Sequence, residues 1–510
     1  MLGNSSLATH YCWKAMQDTT TAEGARNFDR IAALRRTDDM VDMIQQRHPD
    51  PRKLYDFQIT QPGLQVAGVW RKLQVAPGPK PPGRNSSMAW VWNSKLYVAG
   101  GASDLYVEYR DTWCLDLKTM CWHQLPDMPP INHQTGYNCV RQMVVWEGQA
   151  YLFDGSKRLW RLDCERETWH VIHTAFHGTW PYPKHRLSQF CSAVVDGTLY
   201  IFSGDDDVTR LGCNILMALP LPAPGASPRD RPVWEHLGGT SANVPCVRTP
   251  NLRTLATMWA VPAQRKLYML GGNANRAAAH QKNLPGGNAE DFTYEDFWSF
   301  DTVERKWTRE RWRGNFPCPR TEMAGAWNGK LGDGSYGRGL VYGGYNASIQ
   351  SAMPTPGGGD GVCGFTFYGD SFLFDPETKL WQQVIAKGFP SYRAQACMAV
   401  DQDTGFTYLF GGYVNTDYAP MKESTTWCFN DVWQLRLDMP GGAMTDEDRQ
   451  IDARTEKMGP WKRCYSCGEV GFDFKKCAGT CGGRYFFCSK ECHRAGWNEH
   501  KTAQGCRKRT

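Results

Sequence analysis

No stretch of this sequence approaches the roughly 20 consecutive apolar residues that a helix needs to cross a bilayer. The opening residues, Met1 to Leu7, also lack the basic stretch and apolar run of a secretory signal. We therefore expect no membrane contact. We expect an intracellular protein, cytoplasmic or nuclear, in which thiols stay reduced.

Net charge is small, at +6 over 510 residues, but it is unevenly distributed. Residues 461–510 carry 11 Lys and Arg against 4 Asp and Glu, a balance of +7 that leaves −1 for the rest of the chain. The 19 cysteines are uneven too: seven lie between Cys464 and Cys506, and twelve are scattered through the first 428 residues. Scattered cysteines are typical of small buried residues, whereas the dense C-terminal group indicates a metal site.

A chain of this length is too long for one compact core unless that core is built from repeats. Such a repeat is present, because an Asp is followed by Trp after five intervening residues at four places, each after a short strand-like run. The four pairs are Asp116/Trp122, Asp163/Trp169, Asp301/Trp307 and Asp375/Trp381. This spacing predicts a hairpin made of a strand, an Asp-led turn and a Trp-bearing strand.

Two further features recur with a period of about 50 residues from Ala67 onwards. Five of six units open with Pro-x-x-Arg, and these motifs end at Arg84, Arg186, Arg253, Arg320 and Arg393. The second unit has Pro130 and His133 instead. Each unit then has an apolar strand that ends in glycine, and these strands end at Gly101, Gly155, Gly204, Gly272, Gly344 and Gly412. Glycine there allows a positive φ or a close backbone approach, as strands crowd towards a shared axis.

Together these features resemble the kelch repeat over residues 67–438. The resemblance implies a mainly β fold, a six-bladed β-propeller with four strands in each blade. Units two and three depart from the glycine pair, with Asp154-Gly155 and Ser203-Gly204. In unit three a Pro-rich insertion also precedes Trp234. These departures affect loop shape rather than the fold.

The repeats also predict how the ring closes. The sixth unit ends at Asp438 without a Trp strand, and one unpaired Trp strand, Val69 to Leu73, precedes the first unit. We predict that this N-terminal strand is the outer strand of the last blade, which leaves no ragged edge.

The segments that flank the repeats have other patterns. Residues 1–60 have apolar residues at helical spacing, which predicts a helical segment packed on the main domain or the remnant of a helical interaction module. Residues 439–460 predict a flexible linker, in which Thr445 is placed to cap a short polar helix.

Residues 461–510 contain the paired ligands expected of a structural metal site. The four pairs are Cys464/Cys467, Cys477/Cys481, Cys488/Cys492 and His500/Cys506. Eight such ligands satisfy two tetrahedral Zn²⁺ ions, and thiolates combined with a histidine favour zinc. Because so short a segment cannot fold by burial alone, we expect both ions to be structural. His493 is expected to be a surface residue rather than a ligand.

This segment resembles a MYND-type zinc finger at Cys464-x2-Cys467, at Tyr485-Phe-Phe-Cys488-x3-Cys492 and at Trp497-Asn-Glu-His500. The resemblance implies interleaved sites, with Cys464, Cys467, Cys488 and Cys492 on one zinc and Cys477, Cys481, His500 and Cys506 on the other. Two spacings depart from the family: Cys477 to Cys481 is x3, and His500 to Cys506 is x5 where x3 is usual, so Cys506 is the least typical ligand. The family also implies binding of short peptides rather than DNA, although the basic tail leaves nucleic acid as a less favoured partner.

Some kelch-like propellers are copper–radical oxidases, which place Tyr, His and Cys around one metal. The histidines of the repeat region form no such spaced set; they are His123, His133, His170, His173, His177, His185, His236 and His280. We therefore predict no catalytic residues. An enzyme that acts in the central channel is the less favoured alternative.

One face of the propeller is expected to carry the repeat arginines together with loop aromatics. The candidate partner-binding residues are Arg84, Arg186, Arg253, Arg320, Arg393, Tyr345 and Tyr413. Arginine with aromatics on a rigid scaffold is typical of interaction hot spots. The alternative is that most of these arginines brace neighbouring blades through backbone carbonyl groups.

The sequence thus predicts a non-enzymatic, zinc-binding adaptor in which the propeller and the finger each dock a protein or short peptide. The alternatives are a nuclear adaptor of transcription or chromatin complexes and a propeller enzyme with a zinc-finger targeting module.

Overall fold

The computed structural model describes most of the chain from Gln65 to Lys508. The residues outside the description are 1–64, 104–106, 130–142, 154, 183–186, 206–212, 223–230, 241–247, 276–290, 295, 312, 315, 318, 334–335, 347–350, 355–359, 364–365, 389, 391–392, 416–425, 451–461, 464–465, 467–469, 472–473, 481–485, 504–505 and 509–510. The predicted helical segment 1–60 therefore lies outside the described residues.

The described residues are mainly β, and strands β1 to β14 form the first part of the fold. Their bounds are β1 Gln65–Lys72, β2 Met88–Trp92, β3 Lys95–Ala99, β4 Thr112–Asp116, β5 Cys121–Leu125, β6 Met143–Trp146, β7 Gln149–Phe153, β8 Arg158–Asp163, β9 Thr168–His173, β10 Ala175–Phe176, β11 Cys191–Val195, β12 Thr198–Phe202, β13 Leu216–Pro220 and β14 Val233–Gly238.

Strands β15 to β33 follow, with one 3₁₀ turn at Pro262–Gln264. Their bounds are β15 Thr257–Val261, β16 Lys266–Leu270, β17 Asn273–Asn275, β18 Asp291–Thr293, β19 Phe297–Asp301, β20 Lys306–Arg309, β21 Ala324–Asn328, β22 Arg338–Tyr342, β23 Tyr345–Asn346, β24 Ser351–Pro354, β25 Asp360–Cys363, β26 Thr366–Phe367, β27 Ser371–Asp375, β28 Leu380–Lys387, β29 Cys397–Val400, β30 Thr407–Phe410, β31 Tyr413–Asn415, β32 Thr426–Cys428 and β33 Val432–Leu437.

The C-terminal elements are short. They are α1 Asp446–Arg449, β34 Lys462–Arg463, β35 Val470–Gly471, β36 Lys475–Lys476, β37 Phe486–Phe487 and α2 Lys490–Ala503. No helix in the described part of the chain is long and apolar enough to cross a membrane.

The sheets have a propeller-like arrangement. Four of them are separate four-stranded antiparallel units, in the orders β2-β3-β4-β5, β6-β7-β8-β9, β11-β12-β13-β14 and β15-β16-β19-β20; β10 adds a parallel fifth strand beside β14. The sequence predicts two more separate units, but the structure joins them in one eight-stranded sheet, β21-β22-β27-β28-β1-β33-β30-β29. The reason is that β1 pairs in parallel with β28 as well as with its other neighbour.

Strand β1 connects the two ends of the repeat region. It is antiparallel to β33, with Trp70 opposite Leu435, which confirms the predicted pairing of the N-terminal Trp strand with the last unit. The Trp70 indole is buried, and its Nε1 donates to Ser371 Oγ at 3.2 Å. Strand β1 thus satisfies the otherwise open edge of β33.

The first strands of the units lie around a common centre. Each contacts the first strands of its two neighbours, in the cyclic order β2, β6, β11, β15, β21, β29 and back to β2. Backbone hydrogen bonds follow the same direction: Leu255 N donates to Gln189 O, Glu322 N to Leu255 O, Gln395 N to Glu322 O, and Ser86 N to Gln395 O, at 2.9–3.2 Å. All five residues have φ between 50° and 60°, a repeated left-handed position that the sequence analysis did not identify.

The predicted Asp-led turns are confirmed at all four places. Asp116 Oδ1 accepts from the backbone N of Lys118 and Thr119 at 2.8 and 2.9 Å, which replaces backbone partners at the turn. The fourth residue after each Asp has a positive φ, at Met120, Glu167, Arg305 and Lys379. The indole two residues later packs into the core between units, as at Trp122 and Trp381.

Glycine after the second strand allows neighbouring units to approach. Gly271 has φ +62°, and a Cβ built there would lie 2.3 Å from the carbonyl oxygen of Arg320 in the next unit. A side chain would therefore separate these two units.

Residues 438–449 pack on the last unit, where the sequence favours a flexible linker. Thr445 caps α1 in a capping box with Asp448, as the sequence predicts. The carboxylate of Asp448 is wholly buried and pairs with Arg71 of β1 and Arg436 of β33. This segment therefore contacts β1 and β33, two neighbouring strands in the middle of the eight-stranded sheet. Residues 451–460 lie outside the described residues.

Candidate functional site

The C-terminal elements bring three predicted metal ligands together. Cys477 follows β36, His500 lies on α2 and Cys506 follows that helix. All three are buried, and their ligand atoms lie within 4.8 Å of one another. Sequence positions up to 29 residues apart thus converge on one point.

The sulfur atoms of Cys477 and Cys506 are 3.8 Å apart. A disulfide requires about 2.05 Å, so this pair is not covalently joined. Two thiolates on one tetrahedral zinc, each about 2.3 Å from the ion, lie about 3.8 Å apart. The observed separation fits a shared zinc ion.

Local hydrogen bonds fix the position of Cys506 despite its unusual spacing. Thr480 N donates to Arg507 O at 2.9 Å, and Arg507 N donates to Thr480 Oγ1 at 2.8 Å. Gly479 lies between these segments, and a Cβ there would lie 2.5 Å from the sulfur of Cys506. Gly479 N also donates to the sulfur of Cys477 at 3.4 Å, the kind of outer contact that orients a metal ligand.

His500 occupies the inner side of α2. Its ring centroid is 6.0 Å from that of Phe487 and 5.8 Å from that of Trp497. Burial lowers the pKa of His500, and the neighbouring His493 lowers it further. The neutral imidazole, which is the metal-binding form, is therefore favoured.

The remaining predicted ligands are placed only in part. Cys488 and Cys492 are half-buried and pack against the cluster of Cys477, Phe487 and Cys506. Ser466, which lies between Cys464 and Cys467 in the sequence, donates its hydroxyl to the carbonyl oxygen of Cys492. Cys464, Cys467 and Cys481 themselves lie outside the described residues. His493 is exposed, and its ring packs edge-on against Phe487.

The donor chemistry of the site fits zinc. Two thiols and a neutral imidazole are three of the four ligands of a Cys₃His zinc site, and hard cations such as Mg²⁺ prefer oxygen. Cys481, four residues after Cys477 in the sequence, is the predicted fourth.

The repeat arginines are buried, which corrects their assignment as partner-binding residues. Arg84, Arg253, Arg320 and Arg393 are at most 2% exposed. Each donates to the carbonyl oxygen of the first glycine of the pair that follows the second strand of its own unit, as Arg253 does to Gly271 at 2.9 Å. These arginines therefore bond to backbone carbonyl groups, as the alternative expects, but the carbonyl groups belong to their own unit and not to a neighbouring blade. Arg186 lies outside the described residues.

Each of these four arginines also forms a bidentate pair with an aspartate that the sequence analysis missed. Arg253 Nη1 and Nη2 donate to Asp296 at 2.6 and 2.8 Å, and the guanidinium lies 4.1 Å from the Tyr294 ring centroid. Trp298 Nε1 donates to the same carboxylate at 2.7 Å. Equivalent Arg–Asp pairs are Arg84/Asp111, Arg320/Asp370 and Arg393/Asp431.

A sequence signal for these pairs exists. The aspartate is preceded at two residues by Tyr or Phe and followed at two residues by Trp or Phe, in the four segments 109–113, 294–298, 368–372 and 429–433. Burial tends to raise the pKa of Asp296, but the adjacent Arg253 outweighs it and holds that pKa below its ordinary value. The pair is therefore ionised at neutral pH.

Tyr345 and Tyr413 are half-buried on the side where the repeat units receive their insertions. The Tyr345 and Tyr413 rings both pack against Phe367, at 5.1 and 5.4 Å between centroids. The hydroxyl of Tyr413 donates to Glu322 at 3.0 Å. These tyrosines stay candidates for partner contact.

The first strands surround an open cavity of about 150 Å³. Its described lining is mostly Ser, Ala, Met and Gln, and Glu322 is the one charged residue among those described.

The scattered cysteines of the repeat region behave as core residues. Burial raises the pKa of Cys114 and Cys191 to about 12 and that of Cys164 and Cys397 to about 11. They are protonated, weak nucleophiles at neutral pH.

In a comparison with known families, residues 91–129 match the kelch motif. That stretch runs from the end of β2 past β5 and so covers most of one repeat unit. A search among curated proteins found no match to the chain.

Proposed function

We propose that this protein is a non-enzymatic, zinc-binding adaptor. In this proposal a kelch propeller docks one protein partner and a MYND-type finger docks another, which raises the effective concentration of each near the other. The observation that carries the proposal is the convergence of Cys477, His500 and Cys506 in a small module after a propeller-like scaffold with a kelch motif.

The propeller is proposed to have six blades. The cyclic contact order of six first strands supports this number, since β29 lies beside β2. In this interpretation the eight-stranded sheet consists of the fifth blade and the last blade, and β1 supplies the outer strand of the last blade.

The finger is proposed to bind two structural zinc ions. Cys477, Cys481, His500 and Cys506 would hold one, and the 3.8 Å sulfur separation supports this set. Cys464, Cys467, Cys488 and Cys492 would hold the other, supported by the hydrogen bond from Ser466 to Cys492.

The number of zinc ions is tested by the metal content per chain, measured on protein purified without added metal. Two zinc ions are expected, and copper or iron would instead favour an enzyme.

The absence of catalysis is part of the proposal. It is supported by the buried thiols with raised pKa and by the engagement of four repeat arginines in internal ion pairs.

The partners are proposed to be intracellular proteins or short peptides. A nuclear role is the second candidate, favoured by the exposed basic residues Arg507 and Lys508.

Deletion of residues 461–510 tests the two-module arrangement. Proteins captured from a cell extract by the full chain and by the deleted chain are compared. One class of partners should be lost and another kept. Retention of every partner would refute the adaptor with two docking modules.

A further inference from the structure

Helix α2 carries an exposed basic row. Lys490, Arg494 and Lys501 lie at positions i, i+4 and i+11, so they share one face of the 14-residue helix. All three side chains are exposed. Trp497 falls in the same row at i+7 and is half-buried.

No ion pair joins a described acidic side chain to this row. Glu491 precedes Arg494 by three residues and is its neighbour on the helix surface, but its carboxylate hydrogen-bonds with Ser489 instead. Within the described part of the chain, Lys490, Arg494 and Lys501 form no ion pair. The row is thus a cationic strip within residues 461–510, the segment that carries the net charge of +7.

Trp497 gives the strip a rigid centre. Its ring lies 5.5 Å from the ring of His493 and 5.8 Å from that of His500, and it packs against the cluster around Cys477 and Phe487. The metal-site residues therefore hold the indole in place while one part of it stays exposed. Trp and Arg, here Trp497 and Arg494, are residue types enriched at binding hot spots.

We propose that this row docks an acidic peptide segment of a partner protein. Its carboxylates would pair with Lys490, Arg494 and Lys501, and one apolar side chain would pack on Trp497. This inference rests on the proposed docking role of the finger and adds the chemistry of what it binds.

Charge and length favour a peptide over nucleic acid. The row spans about 16 Å, the length of eleven helical residues. Nucleic-acid binding proteins typically engage about 6–10 phosphates, whereas three cations supply few such contacts. A short acidic peptide needs no more than this row offers.

The test is fluorescence anisotropy with the full zinc-loaded chain and a labelled ten-residue peptide of Asp and Glu with one central Leu. The comparison probes are the same peptide with Asn and Gln, and a ten-nucleotide single-stranded DNA. The variant Lys490→Glu/Lys501→Glu is matched by Lys475→Glu/Lys476→Glu, which makes the same charge change at exposed residues of β36. Zinc content and melting temperature confirm that both variants are folded.

The acidic peptide should bind wild type, and the α2 variant should weaken it about tenfold while the β36 variant changes it less than about threefold. Equal loss in both variants, equal binding of the neutral peptide, or tighter binding of DNA would each overturn the inference. If deletion of 461–510 removes a partner class but the α2 variant keeps it, the adaptor proposal stands and this inference fails.

Discussion

Arg253 illustrates how a charged side chain is accommodated in the interior of this protein. Its guanidinium is buried between the Asp296 carboxylate, the Gly271 carbonyl and the Tyr294 ring. Every donor that faces inward thus has a charged or polar acceptor, which offsets the cost of desolvation. Buried ion pairs contribute little net stability, so the main effect of this pair is to fix the position at which its two loops meet.

Replacement of Arg253 by Met should lower the free energy of unfolding by about 3–5 kcal/mol, because Asp296 is left buried and uncompensated. Urea unfolding measures the change. Arg265→Met is the matched control: its pair with Asp196 is more than half exposed, so its loss should cost about 1 kcal/mol or less. The double variant Arg253→Met/Asp296→Asn should be less destabilised than Arg253→Met. A larger loss in the double variant contradicts this account.

Replacement of Cys506 by Ser should lower the zinc content by one ion per chain. The serine hydroxyl is a poor substitute for a thiolate in a tetrahedral site. The metal is measured by elemental analysis after gel filtration, and Cys121→Ser, a half-buried cysteine of β5, is the control. Unchanged zinc in the Cys506 variant would show that the 3.8 Å sulfur contact is not a shared site.

At this scale the sequence predicts residue types better than their partners. The spacing of Cys477, His500 and Cys506 is sufficient to propose a common metal, and the structure brings them together. The repeat arginines were assigned to a binding face because their position repeats, but their carboxylate partners lie 27–50 residues away. The repeated position of the arginines does not identify these partners, whereas the aromatic-x-Asp-x-aromatic segments do.

Helix α1 fixes the end of the repeat region although it has only four residues. Thr445 caps it, and Asp448 reaches both β1 and β33 through Arg71 and Arg436. Hydrogen bonds and nearby arginines outweigh the effect of burial and hold the pKa of Asp448 below its ordinary value. The carboxylate therefore stays ionised and joins two strands from opposite ends of the chain.

Asp448→Asn should lower the free energy of unfolding by about 2 kcal/mol, since charge-assisted hydrogen bonds to two arginines become neutral. Faster proteolysis within β1 should accompany the loss. Asp446→Asn is the control, because its side chain is 92% exposed, and it should leave stability within about 0.5 kcal/mol. Equal effects of the two variants would show that the contact of α1 with the sheet contributes nothing.

At the scale of elements, the strands that carry a repeated sequence motif could be predicted, whereas the packing of residues 438–449 could not. The glycine ends and Asp–Trp turns recur, so each unit supports the assignment of the others. Residues 438–449 occur once, and Gly-rich composition at 441–442 favoured a linker. Their packing depends on Gly442 N and Gly442 O bonding to Met439 and Leu437, which composition does not specify.

The ion pairs at several repeat units give the whole molecule a defined response to acid. Burial raises the pKa values of Asp111, Asp296 and Asp431, but the adjacent arginines outweigh it and hold them below the ordinary value of 3.8. A carboxylate whose pKa is lower in the folded state stabilises that state above its unfolded pKa. The contribution is lost as the pH falls through the folded value.

The free energy of unfolding should therefore change little between pH 7 and 5 from these groups and fall steeply below about pH 4. Urea unfolding at a series of pH values measures the slope. Arg253→Met/Asp296→Asn removes one titrating pair and should give a shallower slope than wild type. A slope unchanged by this variant, or stability that rises on acidification, would contradict the assignment.

A propeller-like β fold could be predicted because the same motifs recur in several units, so that an uncertain strand in one unit is supported by its equivalents in the others. The joining of two units into one eight-stranded sheet was not, because it depends on parallel pairing of β1 with β28. Parallel pairs between distant segments leave no turn or loop length in the sequence to indicate them.

The pairing of β1 has a consequence during biosynthesis. Arg71 of this strand and its partner Asp448 are 377 residues apart. At about 5–20 residues per second, a ribosome needs roughly 20–75 s to make the intervening chain. Until β28 and β33 have been made late in that interval, Val69 and Trp70, buried in the finished protein, have no strand to pair with. Nascent chains of this protein should therefore depend on chaperones that shield this strand until the last unit emerges.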